Sequence, residues 1–372
     1  MRVLLINHRF FPAEGGTERW TLGLGRALRG RGHSVSVLTQ EEPGRPSEEE
    51  IEGLQVIRLP LRRVGGFRVP RGYWRRLRGL EYDVLHLSGN RIWCADFLFP
   101  VARIFPRARV VTPHDFYQWA MDPSPLNRWY FARYLPRVLR GFQAYLALTR
   151  AEAERVVGFG YPRERVHVVG EGFEIDRFPP QGEPFGLRGR GLVNRPHVAL
   201  YVGGLWPNKR VDRLVEALAP LRDELSLVVV GQDRPGGPHD RKSVESRARE
   251  RGLEVAFTGA VPNEQLPGLY RAADVYVQGS QYEGFGISLL EAMASGVPFV
   301  AYDTGAAREL TQGGGGVVAS SPEEFAAAVR AWLSDPDRRA GAARAARATA
   351  EEYRWERVVD RYLSVYEEAL RR

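Results

Sequence analysis

What most limits the fold of this chain is one alternation, run twice. Short apolar segments at Val3–Asn7, Ser34–Thr39, Val56–Leu59, Val84–Leu87, Arg109–Thr112 and Ala144–Thr149 read as strands, with helical stretches such as Thr17–Arg31 and Arg128–Arg140 among them. At Pro179–Pro196 four prolines and four glycines interrupt the pattern. Neither a helix nor a central strand survives such a run, so it reads as an interdomain linker. The alternation then restarts at His197–Gly203, Ser226–Gly231, Val255–Thr258, Val275–Gln278, Pro298–Tyr302 and Gly316–Ala319. Strand–helix alternation on both sides of a break predicts two doubly wound α/β domains. In that architecture ligands bind beyond the carboxyl ends of the strands, often between domains, so the residues just after each strand are where chemistry is sought.

Composition fits this division. The chain has 372 residues, more than one hydrophobic core of ~250–300 residues usually holds. Hydrophobic residues make up 44% and charged residues 26%, as in ordinary globular proteins. The single cysteine, Cys94, excludes an internal disulfide and a cysteine-clustered metal site. No apolar run approaches the ~18 residues of a membrane span. Met1–His8 reads as a first strand rather than a signal peptide, which leads to the expectation of a cytoplasmic protein. The net charge of +8 points to an anionic partner: nucleic acid, acidic lipid or a phosphorylated small molecule. Of the 53 basic residues only Lys209 and Lys242 are lysines.

Four segments carry candidate chemistry. Pro12–Glu18 is a glycine-containing turn entering a helix, whose amides suit a phosphate or an acceptor hydroxyl; it reads equally as a tight turn capped by Thr17. Gly23-x-Gly25 falls inside that helix without dinucleotide spacing and is read as close packing. In Pro113-His114-Asp115 a strand-end histidine could orient a substrate or relay a proton. His86 ends another strand in the same way, and the structural reading is stronger for it. Val202–Arg210 places Lys209 after a strand and at a helix start, where a compact charge suits a diphosphate; the plainer reading is a solvated helix-start pair. In Ser280–Pro298, Glu283 and Glu291 stand eight residues apart across a strand–loop–helix junction. That is about 12 Å if helical. Gly284 and Gly286 leave room there for a ligand against backbone amides and a helix N-terminus.

Gly203–Arg210, Gly231, Phe257-Thr258-Gly259, Leu266–Asp274 and Glu283–Pro298 resemble the donor half of retaining family 4 glycosyltransferases of GT-B fold. Weaker resemblance continues at Pro12–Glu18, Asp83–His86, His114-Asp115, Val169–Phe178 and Trp355, covering nearly the whole chain. The resemblance implies an α/β architecture of two doubly wound Rossmann-like domains facing across a cleft. Residues 1–180 would bind the acceptor, and residues 181–350 a nucleotide-sugar donor. A C-terminal helix, about residues 351–372, would cross back to the first domain. By the same resemblance Lys209 pairs with the donor diphosphate, Glu291 holds the ribose, and Glu283 contacts sugar hydroxyls near the anomeric centre. Amides of Gly284, Phe285, Gly286 and Ile287 receive sugar and phosphate. Gly15, Gly16, Gly204, Arg210, Gly231 and Val261 complete the donor set. His114 sits beside the transferred sugar and, with Glu283 and Lys209, forms the catalytic group. Thr17, Glu18, His114 and Asp115 face the acceptor.

The chain departs from the family pattern at three places. Gly204 stands where arginine is usual, Glu171-Gly172 replaces Asn-Gly, and Gly279-Ser280 replaces Pro-Ser. The implied activity is retaining transfer of a sugar from a nucleotide diphosphate donor to a hydroxyl of a glycan, lipid-linked or small-molecule acceptor. No metal or other cofactor is expected, because fixed positive groups take the role of a cation. An epimerase of the same fold and a non-enzymatic nucleotide-sugar binder are the alternatives. Arginine is also concentrated elsewhere. Arg58, Arg62, Arg63, Arg68, Arg71, Arg75, Arg76 and Arg78 occur with Phe67, Tyr73 and Trp74, and no acid lies between Leu54 and Leu80. Arg128, Arg133, Arg137 and Arg140 accompany Trp129, Tyr130, Phe131 and Tyr134. Basic residues interleaved with aromatics suit an anionic membrane surface at the inner face, or else a solvated face or a phosphorylated acceptor. Nucleic acid is not expected, since the sugar-transfer site already supplies an anionic ligand.

Overall fold

The computed structural model describes residues 1–13, 15–64, 67–89, 108–114, 124–237 and 239–372. Glu14, Cys94 and Asp115, all singled out in the sequence, lie outside the described residues. The chain divides into two compact units, Met1–Phe173 with Arg354–Arg372, and Glu174–Tyr353.

The first unit is built on β1 (Arg2–Ile6), β2 (Ser34–Gln40), β3 (Glu48–Ile51), β4 (Leu54–Leu59), β5 (Leu61–Val64), β6 (Phe67–Pro70), β7 (Val84–Ser88), β8 (Ala108–Thr112), β9 (Ala144–Ala147) and β10 (Val166–Val168). Its main sheet runs β10-β9-β8-β7-β1-β2-β4-β3 and is parallel except for the β3–β4 pair. Val3–Ile6 pair with Val35–Leu38 on one side and Val84–Leu87 on the other, and all but the half-buried Ser36 are buried. Apolar residues at successive positions are what a sheet covered on both faces requires. The chain winds outward from β1 in both directions, so β1 and β7 flank the switch point.

The C-terminal helix Trp355–Arg371 belongs to this unit and buries Trp355, Val358, Val359, Tyr362, Val365, Tyr366 and Ala369. That i, i+3, i+4, i+7 spacing makes one apolar stripe. The Trp355 indole occupies the space that a Cβ would need at Gly23 and at Gly172, each 2.1 Å from its nearest ring atom. A Cβ at Gly25 would lie 2.7 Å from Leu54. Gly23-x-Gly25 is therefore a packing device, and the glycine of Glu171-Gly172 is held by the same indole.

The antiparallel strand β3 and the β5–β6 hairpin carried no clear sequence signal, being short and lying outside the parallel core. β3 changes the reading of Arg58. Its guanidinium is buried and paired with Glu49 at 2.7 Å, so Arg58 is removed from the basic face. Tyr73, Tyr130 and Phe131 also turn into the core. Trp74 (42% exposed) and Trp129 (56%) stay outside, with Arg75, Arg78, Arg128, Arg133 and Arg137. Among the described residues no helix is long and apolar enough to cross a membrane.

The second unit holds β11 (His197–Val202), β12 (Leu225–Val230), β13 (Glu254–Gly259), β14 (Val275–Gln278), β15 (Phe299–Tyr302) and β16 (Gly316–Ala319). They form one parallel sheet in the order β13-β12-β11-β14-β15-β16. Again the winding reverses, and the switch point lies between β11 and β14. Pro179–Pro196 has no regular element but packs on this unit rather than hanging free. Leu187 and Val193 are buried, and the Phe185 amide donates to the Gly268 carbonyl at 2.8 Å.

Candidate active site

The exits of β11, β12, β13 and β14 lie on one edge of the second sheet, because all four strands are parallel. Two glycines let the first pair touch. Gly203 and Gly231 adopt φ of 157° and 144°, and a Cβ at Gly231 would lie 2.1 Å from the Gly203 carbonyl oxygen. In that approach the Gly203 amide donates to Val230 (2.8 Å) and the Leu205 amide to Gln232 (3.0 Å). The Gly231 amide donates to Gly259 at 2.9 Å, tying in the exit of β13, beyond which Val261 is half-buried. The indole of Trp206 covers Gly204, its Nε1 2.5 Å from where a Cβ would stand.

After Trp206 a short 3-10 turn, Pro207–Lys209, precedes Arg210, which takes a left-handed conformation before the helix Val211–Leu218. The β14 exit packs against this turn. A Cβ at Gly279 would meet the Arg210 carbonyl oxygen at 2.5 Å, and the Gln281 amide donates to Asn208 at 2.8 Å. The glycine of Gly279-Ser280 is therefore sterically required. This approach brings Lys209 onto Glu283, with Nζ donating to both carboxylate oxygens at 2.7 Å. Ser280 Oγ adds a third donor to Oε1 at 2.6 Å. Arg210 is diverted: its guanidinium binds the Asp212 carboxylate at 3.0 Å. Asp212 also faces His239 at 3.1 Å. Burial pushes the Asp212 pKa up, but the Arg210 hydrogen bond and the His239 and Arg247 charges hold it below the usual carboxylate range.

Gly286, at φ 90°, starts the helix Ile287–Ala294, whose first amides have no intrahelical acceptors. Ser288 Oγ accepts from Tyr276 at 2.8 Å. Phe285 is buried edge-on against Tyr353, so its backbone alone is available to a ligand; Gly284 and Ile287 flank it. Glu291, one helical turn further, accepts from the buried Tyr270 hydroxyl at 2.7 Å. Burial first, and the Glu291 charge second, push the Tyr270 pKa well up, keeping that hydroxyl a donor.

The residues singled out in the first unit are more separate. Gly15 precedes the helix Gly16–Gly30 in extended conformation. Thr17 does not cap that helix; its hydroxyl donates to Glu18 at 3.0 Å. Glu18 is buried in the first turn and folds back so that Oε2 lies 2.5 Å from the Cβ position of Gly15. A Cβ at Gly16 would meet nothing within 4 Å. His114 has φ 53° and packs edge-on against Trp20, ring centroids 4.5 Å apart. Burial lowers its pKa to about 3, so the ring is neutral. His86 is enclosed between the Tyr366 hydroxyl (2.5 Å) and Thr112 Oγ1 (2.8 Å) and serves the core.

Ser280, Tyr270 and Asn7 lie in segments that the sequence singles out, but the sequence assigns these three side chains no role. The first two become visible only through their contacts. Asn7, buried at the end of β1, donates to the Thr17 carbonyl (3.1 Å) and to Thr21 Oγ1 (2.9 Å). A polar residue closing an apolar strand before a glycine turn was its available signal.

Two family models match this chain. Residues 15–172 match "Glycosyl transferase 4-like domain" and residues 188–349 match "Glycosyl transferases group 1". A D-inositol 3-phosphate glycosyltransferase of Xylanimonas cellulosilytica is 31% identical over 96% of this chain and 93% of its own. A GDP-mannose-dependent alpha-mannosyltransferase of Mycobacterium tuberculosis is 28% identical over 83% and 81%. Anabaena HepE, solved with UDP and glucose, superposes with a TM-score of 0.78 over 99% of this chain and 100% of its own, at 20% identity. With two doubly wound units and these likenesses across both, the chain belongs to the family 4 glycosyltransferases of GT-B fold.

Proposed function

We propose that this glycosyltransferase moves a hexosyl group from a nucleotide diphosphate sugar to a hydroxyl of a lipid-linked or cell-envelope acceptor, with retention at the anomeric carbon. The observation that carries the reading is the convergence of Lys209, Glu283 and Ser280 at the switch point of the second sheet. Cleavage of the bond from the anomeric carbon to the phosphate oxygen leaves negative charge on the diphosphate. Lys209 and the helix start at Gly286–Ile287 are fixed positive groups suited to that charge. Glu283, holding Lys209 in place, accepts from donor sugar hydroxyls. Glu291, oriented by Tyr270, accepts from the ribose. Gly204, Gly231 and Val261 border the nucleotide, whereas Arg210 acts through Asp212. The acceptor hydroxyl attacks the same face, and its proton passes to the departing phosphate oxygen. The relatives' names, GDP-mannose and inositol phosphate among them, support a nucleotide diphosphate donor and a polyol acceptor.

The first unit is assigned the acceptor, with His114, Thr17 and Glu18 facing it and Gly15 and Gly16 kept for the donor. Trp74 and Trp129, exposed among arginines, are assigned to an anionic membrane surface. The test offers UDP- and GDP-hexoses together with phosphorylated polyol and lipid-linked acceptors, and follows the product anomer by NMR. A retained glycoside is expected. Donor isomerisation, or donor hydrolysis in the presence of every acceptor, refutes transfer. Lys209→Ala should lower kcat by about 10²–10³, the scale for loss of one group stabilising a developing anion. Acidic vesicles should retain the protein at low salt, and Trp74→Ala with Trp129→Ala should release it.

A further inference from the structure

We propose that Arg234 is a binding residue for the donor diphosphate, presented by Trp206; this rests on the donor reading above. The cations on the two loops at the switch point are already matched. Lys209 sits on the Glu283 carboxylate and Arg210 on the Asp212 carboxylate, so these four side chains sum to no net charge. A nucleotide diphosphate sugar brings negative charge on each of its two ionised phosphates. A diphosphate gains from a charge left over, and Arg234 is that charge.

Arg234 lies on the loop after β12, which the Gly203–Val230 and Leu205–Gln232 hydrogen bonds clamp to the loop after β11. Its guanidinium stands over the Trp206 ring, 5.0 Å from the centroid, and among the described residues no carboxylate pairs with it. The neighbouring Asp233 directs Oδ1 at the amides of Arg234 (2.7 Å) and Arg241 (2.9 Å), which fixes the loop while leaving the guanidinium out. Trp206, 43% exposed, covers Gly204 with its indole edge. The absent side chain at Gly204 is what admits the indole there, and the same indole carries the Arg234 guanidinium on its face. A guanidinium stacked on an aromatic face keeps its N–H fork free for phosphate oxygens at small cost in side-chain entropy.

The experiment is calorimetric binding of UDP, GDP and the corresponding monophosphates to the wild type, Arg234→Ala and Lys209→Ala. Arg234 is exposed, so its alanine variant should fold with an unchanged melting temperature. We expect Arg234→Ala to weaken diphosphate binding about tenfold, equivalent to 1.4 kcal/mol. Monophosphate binding should change less, and the salt dependence of diphosphate binding should flatten. Unchanged diphosphate affinity, with Lys209→Ala weakened, overturns the role of Arg234 and leaves the donor reading standing. Equal losses for mono- and diphosphates overturn it in favour of base stacking on Trp206. A wild type that binds no nucleotide overturns the donor reading and this inference with it.

Discussion

Gly231→Ala is the substitution whose cost the backbone determines most directly. At φ 144° an L-residue is strained, at about 1–3 kcal/mol. The new methyl would also lie 2.1 Å from the Gly203 oxygen, 2.5 Å from its carbonyl carbon and 3.1 Å from the Gly204 nitrogen. All three are backbone atoms, so no rotamer change relieves the contact, and the strand exits must separate. Overpacking of this kind costs about 1–3 kcal/mol. The sum, about 2–6 kcal/mol, is a large part of a typical net stability of about 5–15 kcal/mol. The damage should be local first, because the Gly203 and Leu205 amide hydrogen bonds span the gap being forced open. Amide exchange at Gly203 and Leu205 should accelerate, the melting temperature should fall, and nucleotide diphosphate affinity should drop with them. A Gly231→Ala protein with wild-type exchange at those amides and wild-type affinity would refute the claim that this close approach builds the site.

Gly16→Ala is the complementary case. The added methyl meets nothing and removes a helix glycine, so stability should hold or rise by up to about 1 kcal/mol; transfer should nevertheless fall if a ligand approaches that turn, and full activity would count against a ligand there. Trp355→Ala should cost about 3–5 kcal/mol, read from urea unfolding, because the indole fills the space over both Gly23 and Gly172; a loss below 1 kcal/mol would show that packing to be dispensable. His114 has a folded pKa near 3 against its ordinary 6.5, so the unfolded chain takes up the proton first as pH falls. Stability is then full above pH 6.5 and declines towards pH 3 by up to about 1.4 kcal/mol per pH unit for this residue. His86, also lowered by burial, adds in the same direction, and His114→Gln should flatten the decline in urea midpoints between pH 7.5 and pH 5.

Much of this protein follows from local order alone. Apolar runs broken by turn residues specify strands, and twelve of those segments appear as core strands with ends shifted by a residue or two. Fully buried parallel strands carry this signal because both of their faces must be apolar. The candidate site of the second unit was placed for a related reason: glycines and carboxylates recur at strand exits, where the winding of the sheet leaves a crevice. Side-chain direction and pairing were not legible, because they depend on neighbours distant in sequence. Arg58 looked like part of a basic surface until Glu49 on an added edge strand took its charge. Arg210 looked like a phosphate ligand until Asp212 bound it. His86 and His114 ended strands alike, yet Tyr366 from the C-terminal helix enclosed only the first. The sequence by itself determined two doubly wound sheets and which loops lie at their carboxyl ends. Only the tertiary structure decided which charges on those loops are matched and which stays open, because pairing depends on distances of a few ångströms that close approach at Gly203, Gly231 and Gly279 sets.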